Sequence, residues 1–121
     1  MAEHNELGEI GERHAHEFLI SNGYTIRKTK WRTGNLEVDI VAEKDNTLVI
    51  VEVKTRSGAF AFNPEQHIDN RKIRNLISAA DLYIQRYDWN GDTRFDVIAV
   101  VVNGERYTIE HIEDAFIPPR W

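Results

Sequence analysis

Apolar positions recur at helical spacing in two stretches of this chain and at strand spacing in five. Leu7, Ile10, His14 and Phe18, with Leu19 beside them, line one side of a helix over roughly residues 5–22, and Asn22-Gly23 supplies its stop. The run YTIRKTKW that follows is rich in β-branched and aromatic residues, with Tyr24, Ile26 and Lys28 on one face of a strand. After the turn Thr33-Gly34-Asn35, LEVDIVAE alternates, placing Leu36, Val38, Ile40 and Ala42 on one face and Glu37, Asp39, Val41 and Glu43 on the other. Lys44-Asp45-Asn46 turns the chain into TLVIVEVKTR, whose residues 48–51 are apolar on both faces, as a central strand covered on both sides requires.

Residues 57–64 carry no period and read as a loop. A second helix begins near Pro64 or Asp69 and runs to Tyr87, with Ile68, Ile73, Leu76, Ile77, Ala80, Leu82, Tyr83 and Ile84 as its apolar stripe. RFDVIAVVV, the hairpin signal Asn103-Gly104 and ERYTIEHI supply a fourth and a fifth strand, and the paired prolines of AFIPPRW make the tail irregular. The order is α-β-β-β-α-β-β. A helix between the third and fourth strands has the length a parallel crossover needs, so the expectation is an α/β fold with a mixed central sheet of about five strands, flanked by helices. At 121 residues, one domain over 1–121 is expected.

Composition narrows the chemistry. With no cysteine, thiolate metal sites and disulfides are excluded, which leaves carboxylate, carbonyl and imidazole donors and so favours hard cations. No apolar run is long enough to span a bilayer and no signal-peptide pattern opens the chain, so no membrane partner and a cytoplasmic location are expected. The net charge of -5 speaks against a strongly basic nucleic-acid binder, but charge is segregated. Arg27, Lys28, Lys30 and Arg32 stand without an acid in residues 24–36, a pattern that fits either a phosphate-contacting stripe or a solvated strand.

The candidate chemistry sits at Asp39 and in VIVEVKTRSG, residues 49–58, where Glu52, Lys54 and Arg56 leave one strand face at alternate positions. Pairing about Asp45 puts Asp39 opposite Glu52, and directly opposed Cβ atoms lie roughly 5 Å apart. Two carboxylates so placed repel unless a cation lies between them; Lys54 is one candidate and Mg²⁺, with Mn²⁺ as a substitute, another. The Val53 carbonyl is a further candidate ligand. Phosphodiester hydrolysis is the reaction class these parts fit, with Lys54 orienting water or offsetting charge on the phosphate. The competing account is a cross-strand salt bridge at the end of a sheet.

Among the other candidates, Trp31 between Lys30 and Arg32 is read either as a base-stacking ring or as core, and Arg56 as a phosphate contact or an exposed strand end. Of Arg71, Lys72 and Arg74, Lys72 is the one aimed at the site. Asp96 is read as pairing with a base, as a support for Lys54 or as a sheet-edge ion pair, and the histidines as exposed or satisfied.

Gly11-Glu12 with Ala15 and Leu19-Ile20, Gly23-Tyr24, Lys30-Trp31-Arg32, Gly34 with Glu37-Val38-Asp39, Val51-Glu52-Val53-Lys54-Thr55-Arg56, Lys72 and Arg94-Phe95-Asp96-Val97-Ile98 together resemble the YraN-like family, whose members are inferred endonucleases. The resemblance covers about residues 8–102. It implies a restriction-endonuclease-like fold of the PD-(D/E)XK nuclease superfamily, similar in layout to archaeal Holliday junction resolvases. It implies Asp39 and Glu52 as metal ligands, Lys54 as the catalytic lysine and Glu12 as the helix glutamate that completes the site. Lys28, Lys30, Trp31, Arg32, Arg56 and Lys72 are then the candidate nucleic-acid contacts. Val38 stands where the superfamily has proline, and Asn35-Leu36 separate Gly34 from Glu37. The function this implies is metal-dependent cleavage of DNA, branched or single-stranded, by a protein that a junction substrate would require to dimerise. The alternative is a nuclease-fold module that binds nucleic acid or a DNA-processing protein without turnover.

Overall fold

The computed structural model of the chain describes residues 2–58 and 68–116. Helix α1 spans Ala2–Ser21, strands β1, β2 and β3 span Thr25–Thr33, Leu36–Lys44 and Thr47–Ser57, α2 spans Asn70–Tyr87, and β4 and β5 span Asp92–Asn103 and Arg106–Ile112. The five strands form one mixed sheet in the order β1-β2-β3-β4-β5, in which only β3 and β4 run parallel. The crossover through α2 places β4 on the free side of β3, as expected. Asp45 and Asn46 both take positive φ, the left-handed pair that lets a two-residue hairpin follow the strand twist. That turn fixes the β2–β3 register: Lys44 pairs with Thr47 and Ile40 with Val51.

Each face of the sheet has its own core. Leu48 and Ile50 of β3 pack with Leu76, Ile77, Ala79, Ala80 and Tyr83 of α2, while Val49 and Val51 pack with Ala15 and Leu19 of α1. Burial of such side chains contributes about 1.5–3 kcal/mol each, so the middle of β3 is held firmly from both sides. The second helix begins later than Pro64: Asp69 caps it by accepting from the Lys72 N–H at 2.8 Å, and residues 64–67, with most of the expected 57–64 loop and the tail from residue 117, lie outside the described residues. Leu82, expected in its apolar stripe, is 42% exposed, and Ala79 is buried instead.

Two strand-face expectations are corrected. Leu36 and Val38 pack on the α2 side but Ile40 and Ala42 on the α1 side, so β2 changes face at Asp39 and the regular alternation ends there. In β1, Tyr24 and Ile26 share the α1 side as expected, but a register shift between Ile26 and Lys28 takes Lys28 off that face, to lie over the Tyr87 ring of α2.

The buried line of α1 keeps Leu19, with Phe18 partly buried beside it, from the expected stripe, but otherwise runs through Gly11 and Ala15 in place of Leu7, Ile10 and His14. Gly11, Ala15 and Leu19 are its most buried residues, because the helix lies so close to β3 that a Cβ on Gly11 would meet Thr55 side-chain carbons at 2.7 Å. A Gly11→Ala protein should therefore lose about 2–3 kcal/mol of stability as α1 is pushed outward, read as a fall of roughly 10 °C in thermal midpoint. A midpoint equal to wild type would show that the helix can shift at no cost.

Candidate functional site

The β2–β3 ladder stops at Ile40–Val51. One step further, where the register would set Asp39 against Glu52, the Asp39 Oδ2 accepts from the Val53 N–H at 2.8 Å in place of a backbone partner. The Val53 peptide thus reaches the site through its N–H. Glu52 follows Ile50 on the α2 side of β3 and is only 3% exposed. Its Oε2 faces two ammonium groups, Lys54 at 3.5 Å and Lys72 of α2 at 3.4 Å, while its Oε1 is buried with no partner among the described residues. A buried carboxylate oxygen left without a donor is costly. Something positive or hydrogen-bonding completes it.

Burial and then the neighbouring Glu52 carboxylate push the Asp39 acid up to about 8, against the pull of the Val53 N–H. Burial also raises Glu12, which Lys30 at 3.6 Å only partly offsets. Asp39, Glu52, Glu12, Lys54, Lys72 and Arg56 all line one cavity of about 370 Å³, whose α1 wall is made by Leu7 and Gly8. This donor set fits a hard divalent cation: carboxylate oxygens, one of them orphaned, with Val53 in the same cavity wall, and an Asp39 acid that burial and its neighbour Glu52 keep from ionising readily.

The expected nucleic-acid contacts divide. Lys72 and Arg56 line this cavity and Lys30 reaches it through Glu12. Lys28 instead lies over the Tyr87 ring at 5.3 Å, and Arg32 pairs with Glu37 at 3.1 Å. Trp31 is 7% exposed, packed edge-on to Tyr83 in the α2 core, so it cannot stack on a base without leaving that core.

Asp96 does not support Lys54. It lies on the α1 side of β4, buried, and its carboxylate accepts from Arg94 Nε at 2.9 Å and Nη2 at 2.8 Å and from the Asp114 N–H at 3.1 Å, with His111 Nε2 at 2.7 Å. Burial alone would raise this acid; the His111 and Arg94 hydrogen bonds outweigh it and hold Asp96 below its ordinary value. Asp96, His111 and Glu113 offer ligand atoms within 4.8 Å of one another and could hold a metal ion, although the Arg94 guanidinium already bridges Asp96 and Glu113 at 2.8 and 3.3 Å. Of the readings of Asp96 the ion pair is the one that holds, made with Arg94, and what sequence reasoning missed is its extension to His111, Glu113 and the Asp114 N–H. The signal for the network was an Arg-x-Asp pair on one face of a strand otherwise apolar, which a buried carboxylate needs.

The fold and this site define a mixed α/β protein with two acids and two lysines gathered where the central strands part. The chain belongs to the uncharacterised protein family UPF0102, which matches residues 11–100. It is 46% identical over 121 residues to a UPF0102 protein of Phocaeicola vulgatus, covering all of both chains, and 48% identical over 119 residues to one of Bacteroides thetaiotaomicron, covering 98% of each. A UPF0102 protein of Flavobacterium psychrophilum is 46% identical over 116 residues, 96% of this chain and 98% of that one.

Proposed function

We propose that the protein is a metal-dependent endonuclease that hydrolyses phosphodiester bonds of branched or single-stranded DNA. The observation that carries this reading is the orphaned, buried Glu52 Oε1 beside Asp39, with Lys54 and Lys72 on the other oxygen of the same carboxylate. A salt bridge built for stability would pair both oxygens. Asp39 and Glu52 would hold Mg²⁺ or Mn²⁺, which would supply Lewis-acid polarisation of the phosphate and a water of lowered pKa.

The chain's own groups do the rest. Water oxygen bonds to phosphorus as the bond from phosphorus to a sugar oxygen breaks, the water's proton passes to solvent, the departing sugar oxygen takes one from solvent, and the Lys54 ammonium stabilises the charge that builds on the phosphate oxygens. Val49 to Val51, buried on both sides, keep Glu52 and Lys54 fixed relative to Asp39, and the Val53 N–H sets the Asp39 rotamer. Glu12, from α1, adds a third carboxylate to the same cavity wall.

The test is incubation of the purified protein with Mn²⁺ or Mg²⁺ and single-stranded, flap, four-way-junction and duplex DNA. Cleavage that depends on the metal and disappears in Glu52→Gln is the expected result. Salt-dependent binding without any turnover would replace this reading by that of a binding module.

A further inference from the structure

The two edges of the sheet are unlike. At one edge, β1 is interrupted by its register shift between Ile26 and Lys28, passes through Lys30 at a φ of 46° and carries Arg27, Lys28, Lys30 and Arg32, all of which discourage a further strand from pairing there. At the other edge, β5 has none of these features. It pairs with β4 in unbroken register from Arg106 to Ile112, none of its residues has a positive φ, and among the described residues no backbone group bonds to its outer side. Arg106, Tyr107, Thr108 and Glu110 are exposed, Tyr107 by 46% even though its ring stacks on His14 of α1 at 3.6 Å. Ile109 packs into the core on that same α1 side, so Arg106, Thr108 and Glu110 share the opposite face. Four residues of extended strand, about 13 Å, keep Arg106 and Glu110 from pairing with each other, and among the described residues neither has an ion-pair partner.

We infer that the outer edge of β5 binds a second copy of this chain, β5 against β5 and antiparallel, with the two strands centred on Thr108. Outward-pointing backbone groups belong to alternate residues, so odd-numbered residues of one copy meet odd-numbered residues of the other and the register can slip only by two. Centred on Thr108, Arg106 faces Glu110 twice and Tyr107 faces Ile109 twice, an aromatic ring against a β-branched side chain. Centred on Arg106 or on Glu110, like charges meet. Centred on Tyr107 or on Ile109, Arg106 faces Thr108 or Ile112 and no opposite charges meet. The strand is thus complementary to itself in one register, and a strand of other sequence would have to carry the same charges in reverse, which a second copy does by symmetry. The two-fold axis then stands perpendicular to one continuous sheet, with both α1 helices on the same side and the two acid-pair cavities at opposite ends of the strands. The contact is independent of what the acid pair does.

A contact along one strand is narrower than a standard interface, so the dimer should be weak, with a dissociation constant on the order of 10 µM. Sedimentation velocity of the full chain from about 1 to about 500 µM, in about 50 mM salt to limit screening, measures it. Arg106→Glu and Glu110→Arg each turn two opposite-charge pairs into two like-charge pairs, and each should raise the dissociation constant about 10- to 100-fold. Mixed in equal amounts, the two variants should associate about as tightly as wild type, because each strand then presents the charges the other needs. Both changes are at exposed positions, and each variant should melt as wild type does. A wild type that stays monomeric over the whole range would overturn the dimer. A dimer whose constant neither change moves would place the contact on another surface and overturn the β5 pairing, and two weakened variants that fail to associate when mixed would overturn the register centred on Thr108.

Discussion

An Asp39→Asn protein should melt about 10 °C above wild type in metal-free buffer at pH 9, while cleaving DNA at least about 100-fold more slowly in Mn²⁺. In the unfolded chain Asp39 ionises near 3.8; in the fold, burial and Glu52 raise it to about 8. A carboxyl raised in this way contributes stability that is fully present below the unfolded value and is lost as pH rises through the folded one. The wild type therefore weakens between about pH 4 and pH 8, and asparagine, which has no proton to lose, escapes that loss. At about 1.4 kcal/mol per unit the ceiling is roughly 6 kcal/mol, and about 3 is a fair expectation for a carboxylate that lines a cavity open to solvent. Below pH 4 the two proteins should melt alike. Divalent ions close most of the gap at pH 8: wild type gains about 2.7 kcal/mol at a hundredfold excess over the dissociation constant, and the asparagine protein gains much less. Parallel stability curves for the two proteins from pH 4 to 9, with equal responses to Mn²⁺, would mean that the acids neither repel nor bind.

How much of this could be read beforehand depends on how local the cause was. The α-β-β-β-α-β-β order followed from periods of 3.6 and 2 with turn residues between them, and the parallel β3–β4 pair followed from the length of the crossover. The juxtaposition of Asp39 and Glu52 followed from counting outward from Asp45-Asn46, since a two-residue hairpin leaves the register no freedom. What a count along the chain could not contain was the change of face at Asp39, because it arises where β2 and β3 part and their ladder ends. Trp31 was ambiguous for a similar reason. Alternation from Ile26 puts it on the opposite face, but only the packing of α2, with Tyr83 edge-on to the ring, shows that this face is covered rather than open to a base. Gly11 and Ala15 were hidden in α1's buried line because small residues score weakly as apolar, although Gly11 is what lets α1 approach Thr55. Arg94, Asp96 and His111 are brought together only when β5 folds back on β4, pairing His111 with Ile98.

A Lys54→Met protein should bind Mn²⁺ more tightly than wild type and yet cleave about 10²- to 10⁴-fold more slowly, the range expected when a group acting in the transition state is removed. The two effects have one geometric origin. Lys54 and Lys72 stand at 3.5 and 3.4 Å from the same Glu52 oxygen, so any cation that takes Glu52 as a ligand competes with both. Methionine keeps most of the apolar stem and deletes the charge, which leaves one competitor in place of two. Because Lys54 is partly exposed, the pair with Glu52 is worth little more than about 1 kcal/mol, and the gain in metal affinity should be correspondingly modest, about threefold to fivefold by calorimetry. Lys72→Met should show the same gain, since it relieves the same oxygen. Its effect on rate should be smaller: Lys72 enters from the first turn of α2, whereas Lys54 shares with Glu52 the face of a strand buried on both sides further in, and that rigidity is what a transition-state contact requires. Full activity in Lys54→Met would remove this lysine from the chemistry. Loss of Mn²⁺ binding together with loss of rate would mean that Lys54 holds the acids in place and does nothing to the phosphate.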